Sequence, residues 1–316
     1  MDICLIADCA KSYNLSAESC LDLSTEIEIN FIKESLQNLG HKVTVYTNIE
    51  NFIDEIHKIK QEQVLVFNMY EGLCSRNREG LIPAICESFK IPYTGSDCFA
   101  NLLTLNKYFL ILFAEKLNIN VPKSTRITSN ADLNDLLKSW KIYPCVLKPE
   151  HEGSSVGLKK IESKEELETN LIGILNSFKQ PVLLQEYIYG IDMAICILEQ
   201  NNSPKLFGIK KYSDNDGKIL ELFDSYYKKR GNHILYTLDI NDLNNNMVEQ
   251  SLELYKELDL HDIARFDWKL SETGVPYLME VTPLPDLAPN TEFTENNNFQ
   301  ETLNSILMSA KKRWNL

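Results

Sequence analysis

The stretch Lys148-Pro149-Glu150-His151-Glu152-Gly153-Ser154-Ser155-Val156-Gly157 holds residue types that can grip a phosphate. Glycines let a backbone approach a ligand closely, and adjacent N–H groups with hydroxyls cradle phosphate oxygens. Lys148, at the end of the apolar run Cys145-Val146-Leu147, would stand beside them as a fixed positive charge. Leu158-Lys159-Lys160-Ile161 reads as the returning strand. No Gly-Lys-Ser/Thr follows a four-residue gap, so this is not a Walker A loop. No Gly-x-Gly-x-x-Gly opens a helix, so it is not a dinucleotide fingerprint. An ordinary Gly-Ser hairpin has the same composition, so the loop gains meaning only from matching pieces elsewhere.

One such piece is the hairpin at residues 263–281. Residues 263–270 alternate strictly: Ala264, Phe266, Trp268 and Leu270 share one expected face, and Arg265, Asp267 and Lys269 the other. Ser271-Glu272-Thr273-Gly274 turns the chain, and residues 276–281 return with Leu278, Glu280 and Thr282 expected on one face. If Asp267 and Glu280 share a face, two carboxylates converge, a donor set suited to Mg²⁺ bridging nucleotide phosphates. A hairpin with a wet outer face is the plain alternative.

The elements that must position these groups follow in chain order. Residues 2–7, 43–46 and 64–68 read as buried strands, and 24–39 and 51–60 as helices between them. Strands alternating with helices imply a parallel sheet with functional loops at the strands' carboxyl ends. One such loop holds Glu71 and Arg78, which suit a solvated loop and a substrate contact equally. A long helical stretch runs over residues 98–117 through Asn106 and Lys107. A strand near Val121, a helix at 131–140, the Lys148 loop and a helix at 164–178 come next. The apolar strand 181–188 ends in Gln185-Glu186-Tyr187-Ile188, residues 193–198 and 205–210 read as antiparallel strands, and 212–235 reads as polar and irregular.

A chain of 316 residues calls for two or three domains. A net charge of −13 argues against nucleic acid, and no apolar run reaches the length of a membrane span. No signal peptide is read, and the eight cysteines are scattered without a Cys-x-x-Cys pair. They read as free thiols in a reducing, cytoplasmic setting, neither disulfides nor zinc ligands.

The string VLKPEHEGSSVG, the turn Pro92-Tyr93-Thr94-Gly95-Ser96 and the string ARFDWKLSETGVPYLMEVTPLP together resemble the D-alanine–D-alanine ligases of the ATP-grasp superfamily. The resemblance covers roughly residues 64–292 well and the first sixty only topologically. It implies an α/β and α+β protein: an N-terminal parallel α/β domain over residues 1–100, then a two-part ATP-grasp fold over 101–183 and 184–316. It implies an ATP-dependent carboxylate–amine ligase that forms an amide through an acyl phosphate and releases ADP. Implied partners are small carboxylate and amine substrates, of the amino-acid kind, with a homodimer possible.

The resemblance also implies roles. ATP would contact Lys107, Lys148, Gly153, Ser154, Ser155 and Val156, the hinge Gln185, Glu186, Tyr187 and Ile188, Asp192 at the ribose, and Lys228 in a closing loop. Arg265, Ser154 and Lys228 would be catalytic. Asp267, Glu280 and Thr282 would hold Mg²⁺, as two ions, or Mn²⁺. Glu71, Arg265, Asp286 and Asn290 would meet the substrates.

The chain departs from the family pattern in several places. Thr282 stands where a metal-binding Asn is usual, Asp286 where a glycine is usual, and Asn290-Thr291 where His-Ser is usual. The N-terminal Gly-Gly-x-Ser-x-Glu signature is absent, with Glu18 and Glu26 both open as substitutes. These departures favour substrates other than two D-alanines. A true D-alanine–D-alanine ligase and a nucleotide-binding pseudoenzyme are the alternatives.

Overall fold

The computed structural model describes residues 1–13, 23–73, 75–129, 133–214, 216–220, 233–240, 243, 246–294 and 299–316. Glu18, the expected closing loop with Lys228, and Lys229 lie outside the described residues.

Apolar runs covered on both faces build the first sheet. β1 (Asp2–Ala7), β2 (Lys42–Tyr46) and β3 (Leu65–Met69) pair in parallel in the order β2-β1-β3. Every residue of β3 is buried, the near-continuous pattern of a strand packed on both sides. α1 (Glu26–Asn38) starts at a capping box: Thr25 accepts from the Glu28 N–H, and Glu28 accepts from the Thr25 N–H. The expected helix at 51–60 is two short ones, α2 (Ile49–Asp54) and α3 (Ile56–Gln61). α4 (Leu81–Phe89) follows.

The expected continuous helix through Asn106 is broken. α5 (Cys98–Leu105) and α6 (Lys107–Lys116) meet at 96°. Asn106 causes the break: its backbone is extended, and its side chain accepts from the Phe109 N–H at 3.1 Å, capping α6. Lys107 is thereby the first residue of a helix and not a residue on a helix surface.

The second sheet is antiparallel. β4 (Ser124–Ile127), β5 (Cys145–Pro149), β6 (Lys159–Ile161) and β7 (Val182–Glu186) lie in the order β4-β7-β5-β6. α7 (Leu133–Ser139) and α8 (Lys164–Phe178) accompany it, α8 capped by Ser163.

The third sheet is also antiparallel: β8 (Gly190–Gln200), β9 (Ser203–Asp214), β10 (His233–Leu238), β11 (Ile263–Ser271) and β12 (Pro276–Thr282), ordered β10-β9-β8-β11-β12. The stretch 212–235, read from the sequence as irregular, holds the end of β9, to Asp214, and the start of β10, which runs on to Leu238. Two helices without a counterpart in the sequence reading complete the fold, α9 (Met247–Glu257) and α10 (Phe299–Trp314). Trp268 of β11 is fully buried and donates its indole N–H to Ser251 of α9 at 3.0 Å. Arg313 of α10 donates to the Gly95 and Tyr93 carbonyls at 2.9 and 2.8 Å and to Asp262 at 3.1 Å, tying the turn after α4 to the start of β11. Cys4, Cys9, Cys86, Cys145 and Cys196 are buried free thiols. Among the described residues, no single helix is long and apolar enough to cross a membrane.

Candidate active site

The register of β11 and β12 decides where the hairpin's carboxylates point. Asp267 pairs directly with Glu280, but the register shifts between Asp267 and Trp268, so Trp268 pairs with Leu278. Met279 is the extra residue of this β-bulge. Leu278 is buried with Trp268, while Glu280 stays on the open face with Asp267. The simple alternation that put Leu278 and Glu280 on one face is therefore wrong. The bulge lets a core leucine and a site carboxylate sit two residues apart. Thr282 pairs with Arg265, one step further along the hairpin.

Lys107 and Lys148 converge on this face from two other elements. Lys107 Nζ lies 2.8 Å from Glu280 Oε1 and also donates to the Glu152 carbonyl. Lys148 comes from the end of β5 and has no carboxylate within ion-pair distance among the described residues. Burial, and then the neighbouring Lys107, lower its pKa to about 8, against the pull of Glu280. A buried ammonium without a counter-ion is the feature an incoming anion would relieve.

The loop between β5 and β6 is held by a polar frame. Ser154 and Ser155 have φ of +43° and +59°, conformations that cost a residue with a Cβ some free energy. Gly157, at φ +72°, is required: a Cβ there would come within 2.7 Å of Pro149 and 2.8 Å of the Phe178 ring. Beneath the loop Glu150 is fully buried. It accepts two hydrogen bonds from Arg126, at 2.5 and 3.0 Å, and lies 3.2 Å from His151 Nε2. Burial pushes its carboxyl up, but His151 and Arg126 bring it down to about 2, so it is ionised at any working pH. Asn106 lies 3.0 Å from the same His151 nitrogen, which links the break between α5 and α6 to the loop. The loop histidine is therefore a framework residue.

Lys107, Lys148, Gly153, Ser155, Val156, Gln185, Glu186, Tyr187, Ile188, Asp192, Arg265, Asp267 and Glu280 line one cleft between the second and third sheets. Ser154 is not among its lining residues, although its neighbour Ser155 is. The Val156 N–H donates to Gly153 O within the loop, at 2.9 Å. At the hinge, the Glu186 and Tyr187 N–H groups donate to Lys123 O and Pro144 O, at 2.8 and 3.3 Å. Gln185 donates to Ser124 at 3.0 Å, while its Oε1 is buried without a partner. Asp192 is paired with buried Lys269 at 2.8 Å, and the Lys160 ammonium sits 4.6 Å from the centre of the Tyr187 ring. Lys269 shares the polar face of β11 with Arg265 and Asp267, so its alternation was the signal that could have marked it.

Arg265 is held by two carboxylates. Its Nε and Nη2 donate to Asp267 at 2.8 and 2.9 Å, and its Nη1 to Glu292 at 3.4 Å. Glu292 also accepts from the Tyr212 hydroxyl. Burial opposes the Arg265 charge, but Asp267 and Glu292 keep the guanidinium protonated. Burial lifts the Asp267 carboxyl, and Arg265 pulls it back. Sequence reasoning missed Glu292 and Tyr212, since neither sits in a motif and they meet only across the sheet.

The other expected substrate residues lie elsewhere. Glu71 pairs with Arg78 at 3.2 Å, and Arg78 is buried, donating to the Glu71 carbonyl at 2.9 Å and to the His151 carbonyl at 3.5 Å. Arg78 is thus a brace between the loop after β3 and the phosphate loop, and neither a solvated nor a substrate-facing residue. Asn290 is exposed at φ +65° and does not line the cleft, nor do Thr282 and Asp286. The Asp286 carboxylate accepts from the Ala288 N–H at 2.7 Å and shapes its own turn.

An adenine nucleotide with its divalent cation fits this donor set. An unpaired buried ammonium stands at the phosphate-loop end and an orphaned amide oxygen at the hinge end. Two facing carboxylates lie between the lysines and Arg265. Among the described residues no cluster of three or more His, Cys, Asp or Glu is placed to hold a metal ion by itself. A cation here would need the oxygens of a bound phosphate as further ligands, as Mg²⁺ in such sites does.

The sequence pattern of the D-ala D-ala ligase C-terminus family matches residues 113–300. A D-alanine–D-alanine ligase of Aquifex aeolicus is 30% identical over 270 residues, covering 84% of this chain and 88% of its own. The chain belongs to the D-alanine–D-alanine ligase family. The crystal structure of a Bacillus anthracis D-alanine–D-alanine ligase superposes with a TM-score of 0.77 at 21% identity, covering 100% of this chain and 99% of that one. The same protein complexed with ATP gives 0.75 at 19% identity, covering 100% and 98%. As a family member the protein has the ATP-grasp fold and is an ATP-dependent, ADP-forming ligase that makes a carbon–nitrogen bond. It is an enzyme and not a nucleotide-binding pseudoenzyme.

Proposed function

We propose that the protein joins two D-alanine molecules. The expectation of other substrates rested on Thr282, Asp286 and Asn290-Thr291. The relatives do not support it, and the D-alanine–D-alanine ligase alternative fits them better. The observation that carries the proposal is the convergence of Lys107, Lys148, Arg265, Asp267 and Glu280 on one cleft of a chain in this family. Thr282, Asp286 and Asn290, which motivated the other reading, lie off that cleft.

In this reading a D-alanine carboxylate attacks the γ-phosphorus of ATP, giving an acyl phosphate and ADP. Lys107 and Lys148 neutralise the charge that spreads over the transferred phosphoryl oxygens. Asp267 and Glu280 would hold Mg²⁺, which would supply further charge neutralisation at the phosphates; Thr282, off the cleft, would reach it only as a weaker oxygen donor from one step further along the hairpin. The amine of the second D-alanine then displaces phosphate. Arg265 faces the oxygen on which negative charge develops as that bond forms. The ATP contacts, the metal ligands and the closure of units 1–100, 101–183 and 184–316 around the site are parts of this proposal. So are a cytoplasmic setting and a homodimer.

ADP release measured with D-alanine, then with pools of other amino acids and small carboxylates, tests it. D-Alanine should be the preferred substrate, with D-alanyl-D-alanine as product. No D-alanine-dependent ADP release, beside turnover with another amino acid, would overturn it.

Asp286 gives a separate prediction. Its side chain reaches solvent, but the surrounding protein, then Glu28 and Glu292, raise its carboxyl to about 6. A raised carboxyl favours the folded state only while protonated, so that contribution is lost as pH rises from about 4 through 6. Asp286→Asn keeps the turn's acceptor oxygen without the charge. It should gain thermal stability over the parent at pH 7.5 and match it at pH 4. An equal difference at both pH values would show that Asp286 carries no shifted titration.

A further inference from the structure

We propose that Glu292 is a positioning residue for Arg265, receiving its guanidinium when Asp267 turns to a divalent cation. The inference rests on the ligase reading above for the roles of Asp267 and Arg265; the Tyr212–Glu292–Arg265 connection itself comes from geometry. Asp267 gives both carboxylate oxygens to Arg265, at 2.8 and 2.9 Å. Those are the oxygens a cation must use. A dication and a guanidinium on the same two oxygens repel each other, so one contact must loosen. Arg265 is buried, and a buried guanidinium left without a carboxylate is costly. Glu292 is the second carboxylate within reach, 3.4 Å from Nη1. That distance is longer than a charge-assisted hydrogen bond prefers, leaving room for the contact to shorten.

The placement of Glu292 supports this role. It is only 7% exposed, and its other oxygen accepts from the Tyr212 hydroxyl. Tyr212 stands on β9 and Arg265 on β11, with β8 between them. Glu292 arrives from the segment after β12 and connects the two across the sheet. Tyr212 is itself buried and lines the cleft beside Arg265 and Asp267. A guanidinium has five N–H donors; Asp267 takes two and Glu292 one. Shifting toward Glu292 keeps the charge partnered and frees the side that Asp267 held. The set hydroxyl–carboxylate–guanidinium–carboxylate thus has two arrangements, one with Asp267 on Arg265 and one with Asp267 on the cation.

Mn²⁺ binding in the presence of a non-hydrolysable ATP analogue tests the idea without turnover. Outer partners of metal ligands are worth about 10- to 100-fold in affinity or activity. Glu292→Ala should weaken Mn²⁺ by about tenfold, because Asp267 is then the only carboxylate left on Arg265 among the described residues. In D-alanine-dependent ADP release, kcat should fall by a similar factor while KM for ATP stays within about twofold. Glu292→Gln, which keeps the hydrogen bonds but not the charge, should recover part of kcat. Tyr212→Phe should show a smaller loss of the same pattern, and these two variants carry the test should Glu292→Ala not fold. Unchanged Mn²⁺ affinity in folded variants would overturn the proposal. So would a raised KM for D-alanine at unchanged kcat, which would make Glu292 a substrate contact. If the parent protein releases no ADP with D-alanine, the function proposed above fails, and the Mn²⁺ measurement still decides this one.

Discussion

Glu280→Gln should cut ADP release by about 100- to 1000-fold and leave the fold intact. The side chain keeps its shape and one amide oxygen, so only the charge is lost. Lys107, 2.8 Å from the carboxylate, loses its ion-pair partner, and Asp267 becomes the only carboxylate on the open face of the hairpin. The Glu280 side chain is 30% exposed but that of Lys107 only 7%, so the variant leaves a buried ammonium beside Lys148, and the melting temperature should fall by several degrees while the protein still folds. Activity should move far more. A cation seated between phosphates and carboxylates supplies several kcal/mol of transition-state stabilisation, so kcat/KM should drop by about 100- to 1000-fold. The residual rate should need higher Mg²⁺ to saturate. Circular dichroism checks the fold, and coupled ADP release against Mg²⁺ checks the rest. Near-parental activity at ordinary Mg²⁺ would make Glu280 only a structural partner of Lys107.

The pieces legible in the sequence are those whose information is local. Glycines and serines between two short apolar runs announce the phosphate loop. Strict alternation over residues 263–270 announces β11, and both lie where expected. Glu280 was found for a partly wrong reason, because alternation cannot show that Met279 is an extra residue opposite the step between Asp267 and Trp268. The break at Asn106 was written in a capping residue, but the apolar residues on either side hid it. Arg78 shows the opposite failure. A loop arginine suits solvent and a substrate contact equally, and only the folded chain brings the His151 carbonyl, 73 residues away, against its guanidinium. The Tyr212–Glu292–Arg265 connection had no local signal, since its members come from β9, β11 and the segment after β12. Interactions made by tertiary crossing of elements leave no periodicity to read. In this protein they include both the brace under the phosphate loop and the clamp on the site arginine.

Lys148 should lose its unusual acidity when nucleotide binds, and the proton taken up can be counted. Burial and then Lys107 hold its pKa at about 8, against an ordinary lysine value of 10.5. A lysine depressed in this way costs stability wherever it is charged in both states. That cost is present in full below about pH 8 and is relieved as pH rises from there toward 10.5. Phosphate oxygens beside the ammonium reverse the balance, because a charge-assisted contact favours the protonated form. Binding of an ATP analogue with Mg²⁺ at pH 8.5 should therefore take up protons, since the terminal phosphate, with a pKa near 6, is already ionised. Affinity should fall as pH climbs past about 8. Calorimetry in two buffers of different ionisation enthalpy gives the proton count directly. Lys148→Met fills the same buried space without a charge, so it should be at least as stable as the parent at pH 7. It should bind the nucleotide on the order of 100-fold more weakly and take up no proton at pH 8.5. Equal proton uptake in both proteins would assign the titration to another group. Equal affinity would remove Lys148 from the nucleotide site.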